Sequence, residues 1–175
     1  MATTHHVTLV ERAPFGEVFD LHFDPVHSYL RRRVGDSAED LTADTFARAL
    51  AAYETFDPAR GEVRAWLLGI ATNVVHGHRR AEARRLRAYS REAGSHGPPP
   101  GPPDVAARVD AAGLAGHAAL AIAKLEAPDR DVLLLVAWAD LTYDEVAQAL
   151  GIPVGTVRSR LNRARSTVRA HMEAR

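Results

Sequence analysis

Apolar residues along this chain recur at intervals of three and four, the spacing of one helical face, and the strict alternation of a half-buried strand is missing. The pattern predicts an all-α protein. Phe15, Val18 and Phe19 open a helix that is expected to yield at Asp24-Pro25, where a second can begin with Asp24 as cap and Pro25 in its first turn. Val26, Tyr29 and Leu30 carry the stripe of that second helix, and Gly35 ends it. Ser37 and Asp40 form the spacing of a capping pair for a helix through about Ala52, whose expected buried side is Leu41, Phe46, Leu50 and Tyr53. A polar loop from Thr55 to Val63 comes after it. Next is a long helix from about Arg64 to Tyr89, with Val63, Leu67, Ile70, Ala71, Val74 and His78 inward. Gly69, Thr72, His76, Arg79, Arg80 and Arg87 lie opposite, with Asn73 at the edge.

The periodicity breaks at Gly94 to Asp104, GSHGPPPGPPD, where consecutive prolines remove backbone donors and forbid regular helix. The expected organisation is an N-terminal module over residues 1–92, a linker over 93–104, and a C-terminal module over 105–175. In the second module Val105 to Glu126 is alanine-rich and helical in pattern, weakened by Gly113 and Gly116. Pro128 then opens a helix with Asp129 and Asp131 early and an apolar run from Val132 to Val136. These two helices are expected to roof the segment from Leu141 onward.

Leu141 to Arg165, LTYDEVAQALGIPVGTVRSRLNRAR, has the layout of a helix, a tight turn and a basic second helix. Thr142 and Glu145 make a capping box; Tyr143, Val146, Ala147 and Leu150 form one stripe, and Gly151 supplies the stop. After Pro153, Val154, Val157, Leu161, Ala164 and Val168 form a seam. The opposite face carries Gly155, Ser159, Asn162 and Ser166, flanked by Arg158 and Arg163. Arginine pairs bidentately with guanine, asparagine with adenine, and serine with either, while Arg160 and Arg165 sit nearer the rim, where phosphates run. The competing view is a solvated amphipathic helix, which the capped helix and Gly-Ile-Pro turn in front of it disfavour.

Composition refines this picture. Hydrophobic residues make up 46% of the 175, which suits a globular chain, and there is no cysteine for disulfides, thiolate zinc sites or cysteine nucleophiles. Formal net charge is zero, but Lys and Arg against Asp and Glu give −4 over residues 1–60, +4 over 61–92, −1 over 93–127, −4 over 128–150 and +5 over 151–175. Two basic blocks suit DNA phosphates, and two acidic blocks remain for a basic protein surface. The density of RRAEARRLRAYSR favours phosphate binding over simple complementation of a helix dipole. The early acids Glu39, Asp40 and Asp44, taken alone, do no more than complement a helix N-terminus.

No signal-peptide pattern and no long apolar run is present, so membrane insertion is not expected and the reducing cytoplasm is the expected compartment. His5 and His6 sit at the terminus, and His76 and His78 are two apart on different helical faces, so no metal site is expected. No Walker loop, dinucleotide fingerprint or GxSxG elbow occurs, and an enzyme is not expected.

AEDLTADTFARAL at 38–50, FDPARGEVRAWLLGIATNVV at 56–75 and the segment at 141–165 together resemble the extracytoplasmic-function (ECF) subgroup of the sigma-70 family, sigma factors of bacterial RNA polymerase. The resemblance implies a subunit that binds core RNA polymerase, directs it to promoter DNA and assists promoter opening, without cofactor or catalysis. It turns Asp40, Leu41, Asp44, Thr45 and Phe46 into polymerase-docking candidates. It assigns the downstream promoter element to Thr55, Phe56, Asp57, Arg60, Trp66, Asn73, His76, Arg79 and Arg80, with the loop from Thr55 to Glu62 capturing a flipped base. The upstream element falls to Arg158, Ser159, Asn162 and Arg163, with Thr156, Arg160 and Arg165 nearer the backbone. An anti-sigma factor is an implied partner. Asp129-Arg130-Asp131 departs from the family pattern by its acidity, and Asn162 stands where larger side chains are common. The rival readings are a stand-alone helix-turn-helix repressor or activator, and a protein-interaction adaptor.

Overall fold

The structure, a computed structural model, describes residues 13–92 and 114–173. The expected linker over 93–104, the start of the alanine-rich helix and the His5-His6 pair lie outside the described residues. Seven α-helices and no strand occur among the described residues: α1 (Phe15–Val34), α2 (Ala38–Ala52), α3 (Val63–Glu92), α4 (Leu114–Ala123), α5 (Ala127–Ala139), α6 (Tyr143–Leu150) and α7 (Val154–Glu173). Short 3-10 turns occupy Gly35–Ser37, Tyr53–Thr55 and Pro58–Arg60.

The break expected at Asp24-Pro25 does not occur, because α1 runs through Pro25. Val18, His22, Val26, Tyr29 and Arg33 are all buried and keep one helical phase across the proline. Pro25 cannot donate to the carbonyl of Leu21, but Leu21 is 71% exposed and water can satisfy that group. Continuous packing on the inner side therefore outweighs the local proline penalty. Gly35, with φ 59°, ends the helix as expected.

Helix α2 starts where the capping pair placed it, although Ser37 makes no side-chain cap hydrogen bond. Its inward side is Leu41, Thr42, Thr45, Phe46 and Ala49, and Tyr53 just beyond is also buried. Leu50, expected inside, is 58% exposed. The stripe instead follows Leu41, Thr45 and Ala49, with Thr42 and Thr45 returning their hydroxyls to the carbonyls of Ala38 and Leu41.

Helices α1, α2 and α3 pack on one another, and α4, α5 and α6 pack around α7. The roof expected over the helix-turn-helix is present. Arg130 strengthens it by donating to the carbonyls of Ile122, Ala123 and Leu125 at the end of α4. The two groups are not separate bodies: α3 packs along α6 and α1 touches α5, so one buried apolar cluster extends from Val18 to Leu161.

Candidate nucleic-acid interface

The helix-turn-helix forms as its pattern dictates. Thr142 Oγ1 accepts from the Glu145 N–H, while Glu145 Oε2 accepts from the Thr142 N–H at 2.7 Å. The Thr142 hydrogen bonds hold the Glu145 carboxyl below the usual carboxylate range. Gly151 takes the left-handed conformation at φ 62°, which an L side chain adopts at a cost, and its N–H returns to the carbonyls of Ala147 and Gln148.

In α7, Val157, Leu161 and Ala164 are buried and Val154 and Val168 half-buried, and the helix packs on α5, α6 and α4. Gly155, Arg158, Ser159, Asn162, Arg163, Arg165 and Ser166 are all exposed, with Thr156 and Arg160 half-buried beside them. Every upstream-element candidate therefore lies on or beside one polar face. Arg163 does not project freely. Its guanidinium makes a bidentate pair with Asp129 at the start of α5, at 2.5 and 2.6 Å.

The downstream candidates divide. Thr55 and Asp57 are exposed in the loop; the Thr55 hydroxyl donates to the Ala52 carbonyl, and Asp57 caps the short turn by accepting from the Ala59 N–H at 3.0 Å. Phe56 is buried and packs its ring against Tyr53 and half-buried Trp66, beneath the loop. Arg60 lies in the Pro58–Arg60 turn. On α3, Asn73 and Arg80 are exposed and Arg79 is half-buried.

His76 lies with Nε2 2.8 Å from Asp131 Oδ2, a close polar contact without the alignment of a ring N–H hydrogen bond. Along the same face Gly69 and Thr72, expected to point outward, are buried. Ala149 of α6 covers Gly69, and Tyr29 and Arg33 of α1 meet the Thr72 hydroxyl. A cleft of about 190 Å³ remains at this seam, lined by Asn73, His76, Asp131 and Arg160 among others.

Of the polymerase-docking candidates on α2, Leu41, Thr45 and Phe46 are buried in the chain's own core and serve packing. Asp40 is exposed and Asp44 half-exposed, with Asp44 holding Arg48 one turn on. Of the five candidates only the two acids are exposed enough to meet a partner.

Pattern reading missed the polar seam between the helix groups. Asp131 Oδ1 accepts from Arg33 Nη2 at 2.5 Å, and Arg33 Nη1 donates to the Tyr29 hydroxyl at 2.6 Å. Tyr29 in turn reaches Thr72 Oγ1 at 3.0 Å, and Thr72 donates to the Leu68 carbonyl. Burial pushes the Asp131 carboxyl up, but His76 and Arg33 beside it outweigh that and hold it below the usual range. The one sequence signal was the unusual acidity of Asp129-Arg130-Asp131.

A capped helix, a left-handed glycine turn and an exposed Arg/Ser/Asn face define a DNA-reading module, here set beside a second helical module with its own basic ridge. Two family descriptions match: sigma-70 region 2 over residues 18–85 and sigma-70 region 4 over residues 118–168. The ECF RNA polymerase sigma factor SigC of Mycobacterium tuberculosis is 38% identical over 139 residues, covering 78% of this chain and 71% of that protein. Among solved structures, the sigma factor RpoE bound to the anti-sigma factor NepR from Bartonella quintana matches at TM-score 0.67 and 23% identity, covering 91% of this chain and 97% of that one. CnrH in complex with the cytosolic domain of CnrY matches at TM-score 0.62 and 28% identity, covering 91% and 88%.

The chain belongs to the ECF sigma factors of the sigma-70 family, transcription initiation factors that direct RNA polymerase to promoters. None of the helices among the described residues is long and apolar enough to cross a membrane.

Proposed function

We propose that the two modules are two promoter grips on one polymerase subunit, divided at the Pro/Gly-rich segment over residues 93–104. The N-terminal module docks on core RNA polymerase through Asp40 and Asp44 of α2. Thr55, Asp57, Arg60, Trp66, Asn73, His76, Arg79 and Arg80 then engage the downstream element, and the loop after α2 receives a flipped base. Tyr53 and Phe56 support that loop from beneath, and half-buried Trp66 is the ring of this cluster left to stack on a base. The C-terminal module reads the upstream element with Arg158, Ser159, Asn162 and Arg163, and Thr156, Arg160 and Arg165 hold the backbone.

The observation that carries this reading is the common exposed face of α7 behind a fully formed capping box and turn. The protein acts in the cytoplasm by binding alone, without a catalytic step or cofactor. An anti-sigma protein is its regulatory partner, as the neighbours solved with NepR and CnrY suggest for this fold. Run-off transcription with core polymerase and a genomic fragment library tests the reading. Promoter-specific transcripts appear only when the protein is added; their absence from every fragment would overturn it.

A further inference from the structure

Arg163 is held in a way that the other exposed arginines of α7 are not. Asp129 accepts from its Nε at 2.5 Å and from its Nη2 at 2.6 Å, a bidentate pair along the side edge of the guanidinium. Arg158, Arg165 and Arg169 are exposed on the same helix and make no such pair with the described residues. The carboxylate is itself fixed. Asp129 is 4% exposed and stands in the first turn of α5, where the helix N-terminus favours a negative charge. Its N–H bonds to the Glu126 carbonyl, and neighbouring Arg130 is clamped to three carbonyls at the end of α4. The anchor of Arg163 is therefore a buried group on a braced turn.

The donors left over decide what the pair can do. A guanidinium carries five N–H donors in a rigid fork; Asp129 takes two along the Nε/Nη2 side and leaves three along the Nη1/Nη2 end. The Arg163 side chain is 63% exposed, and its guanidinium makes no other hydrogen bond to the described residues. The free end has the spacing of the guanine O6 and N7 acceptors. Arg163 differs from an unpaired arginine in two further respects. Its rotamer freedom is restricted before DNA arrives, so less entropy is lost on contact. Its charge is balanced by Asp129, so it adds little to the attraction for phosphates. A fixed and neutralised fork selects a base, whereas a mobile and uncompensated one holds a phosphate.

We propose that Asp129 is a positioning residue for promoter recognition: by occupying the side edge of Arg163 it aims the end edge at guanine, and so sets a G·C requirement at one position of the upstream element. This rests on the upstream-reading role of α7 proposed above. The acidity at the start of α5 thereby acquires a use that no pattern along α7 could show, because the acid lies 34 residues away.

The test uses the full chain assembled with core polymerase. The probe is a duplex promoter fragment that gives a transcript in run-off assays, with its upstream element varied one base pair at a time. Competition binding is measured at several salt concentrations for wild type, Asp129→Asn and Arg163→Lys, together with the melting temperature of each free chain. Asparagine keeps the shape of the acid but offers one acceptor and no charge. Lysine keeps a cation against Asp129 but has no second edge, so the link between α5 and α7 survives while the fork is lost.

Wild type should disfavour every replacement of one G·C pair by about tenfold or more. Both variants should reduce that preference to under about threefold, at that position alone. Asp129→Asn should also steepen the fall of log affinity with log salt by about one unit, since Arg163 is then uncompensated. A pair that serves stability alone predicts a lower melting temperature with base preference and salt slope unchanged, and that outcome overturns the proposal. Retention of the G·C preference in Arg163→Lys overturns it as well. If wild type shows no base preference anywhere in the upstream element, the reading of α7 fails and this proposal with it; a preference that neither variant moves sinks the role of Asp129 alone.

Discussion

Replacing Asp131 by asparagine tests the seam most directly, because one carboxylate serves Arg33 from the first module and His76 on α3. The Arg33 side chain is fully buried and that of Asp131 only 4% exposed, so solvent screens the pair little. Removing one partner of such a pair costs about 3–5 kcal/mol, chiefly because the other charge stays buried without compensation. Asparagine keeps an acceptor for Arg33 Nη2, and one hydrogen bond is worth about 1 kcal/mol. The expected loss is therefore about 2–4 kcal/mol.

At a urea slope of about 2 kcal/mol/M, that lowers the unfolding midpoint by about 1–2 M. The two tryptophans, Trp66 on α3 and Trp138 on α5, give one probe in each module. In single-tryptophan backgrounds the wild-type transitions should coincide, and in Asp131→Asn they should separate as the modules lose their coupling. Because a buried pair is weakly stabilising against an apolar replacement, the double variant Arg33→Met with Asp131→Leu should recover most of the loss. A midpoint shift under about 0.3 M, about 0.6 kcal/mol at that slope, with both probes still coincident, would refute the assignment of Arg33–Asp131 as the link between modules.

Thr142→Ala should lower stability by about 1 kcal/mol through loss of the capping box, read as a drop in melting temperature with α7 otherwise intact. Leu161→Ala, at 2% exposure in the seam, should cost about 2–5 kcal/mol and abolish upstream-element binding together with the fold of the second module, visible by circular dichroism. Arg158→Ala should weaken upstream recognition by about 1–3 kcal/mol in promoter competition assays and leave the melting temperature unchanged. Acidification should destabilise the chain in two stages. Burial, followed by nearby Arg64, lowers the His22 pKa from 6.5, and Asp131 is lowered from 3.8. Both groups thus contribute fully above their unfolded values, and the contribution is lost as pH falls below 6.5 for His22 and below 3.8 for Asp131. Melting temperature should fall between about pH 7 and 5, and His22→Gln should flatten that part of the profile.

Most helices and the exposed polar face of α7 were legible in the sequence, because α7 uses a single uninterrupted period whose seam and outward set are complementary by angle alone. The capping box and Gly151 were equally local. Errors arose where tertiary packing competed with local rules. Pro25 marks a helix start in isolation, but a buried stripe on both sides of it carries α1 through. Leu50 is apolar and lies within reach of the stripe, yet Thr45 and Ala49 take the inner side, Thr45 by returning its hydroxyl to the Leu41 carbonyl.

Downstream candidates were right as surface residues where they stood at the loop or the basic end of α3, as with Thr55, Asp57, Asn73 and Arg80. The middle of α3 has the sequence pattern of a free polar face. In the structure Gly69 and Thr72 are buried there and His76 meets Asp131.

Local chemistry in this sequence determined which segments are helical, which face of each is apolar, and that one of them presents arginine, serine and asparagine outward. These follow from periodicity, caps and turn residues, whose reach is a few positions. Only the tertiary structure decided that Asp131 meets Arg33 across 98 residues of chain and that Asp129 meets Arg163 across 34. Such pairings depend on how close two helices approach. The same holds where α3 and α6 meet, at Gly69 against the Ala149 backbone carbonyl, a contact with no periodic signature.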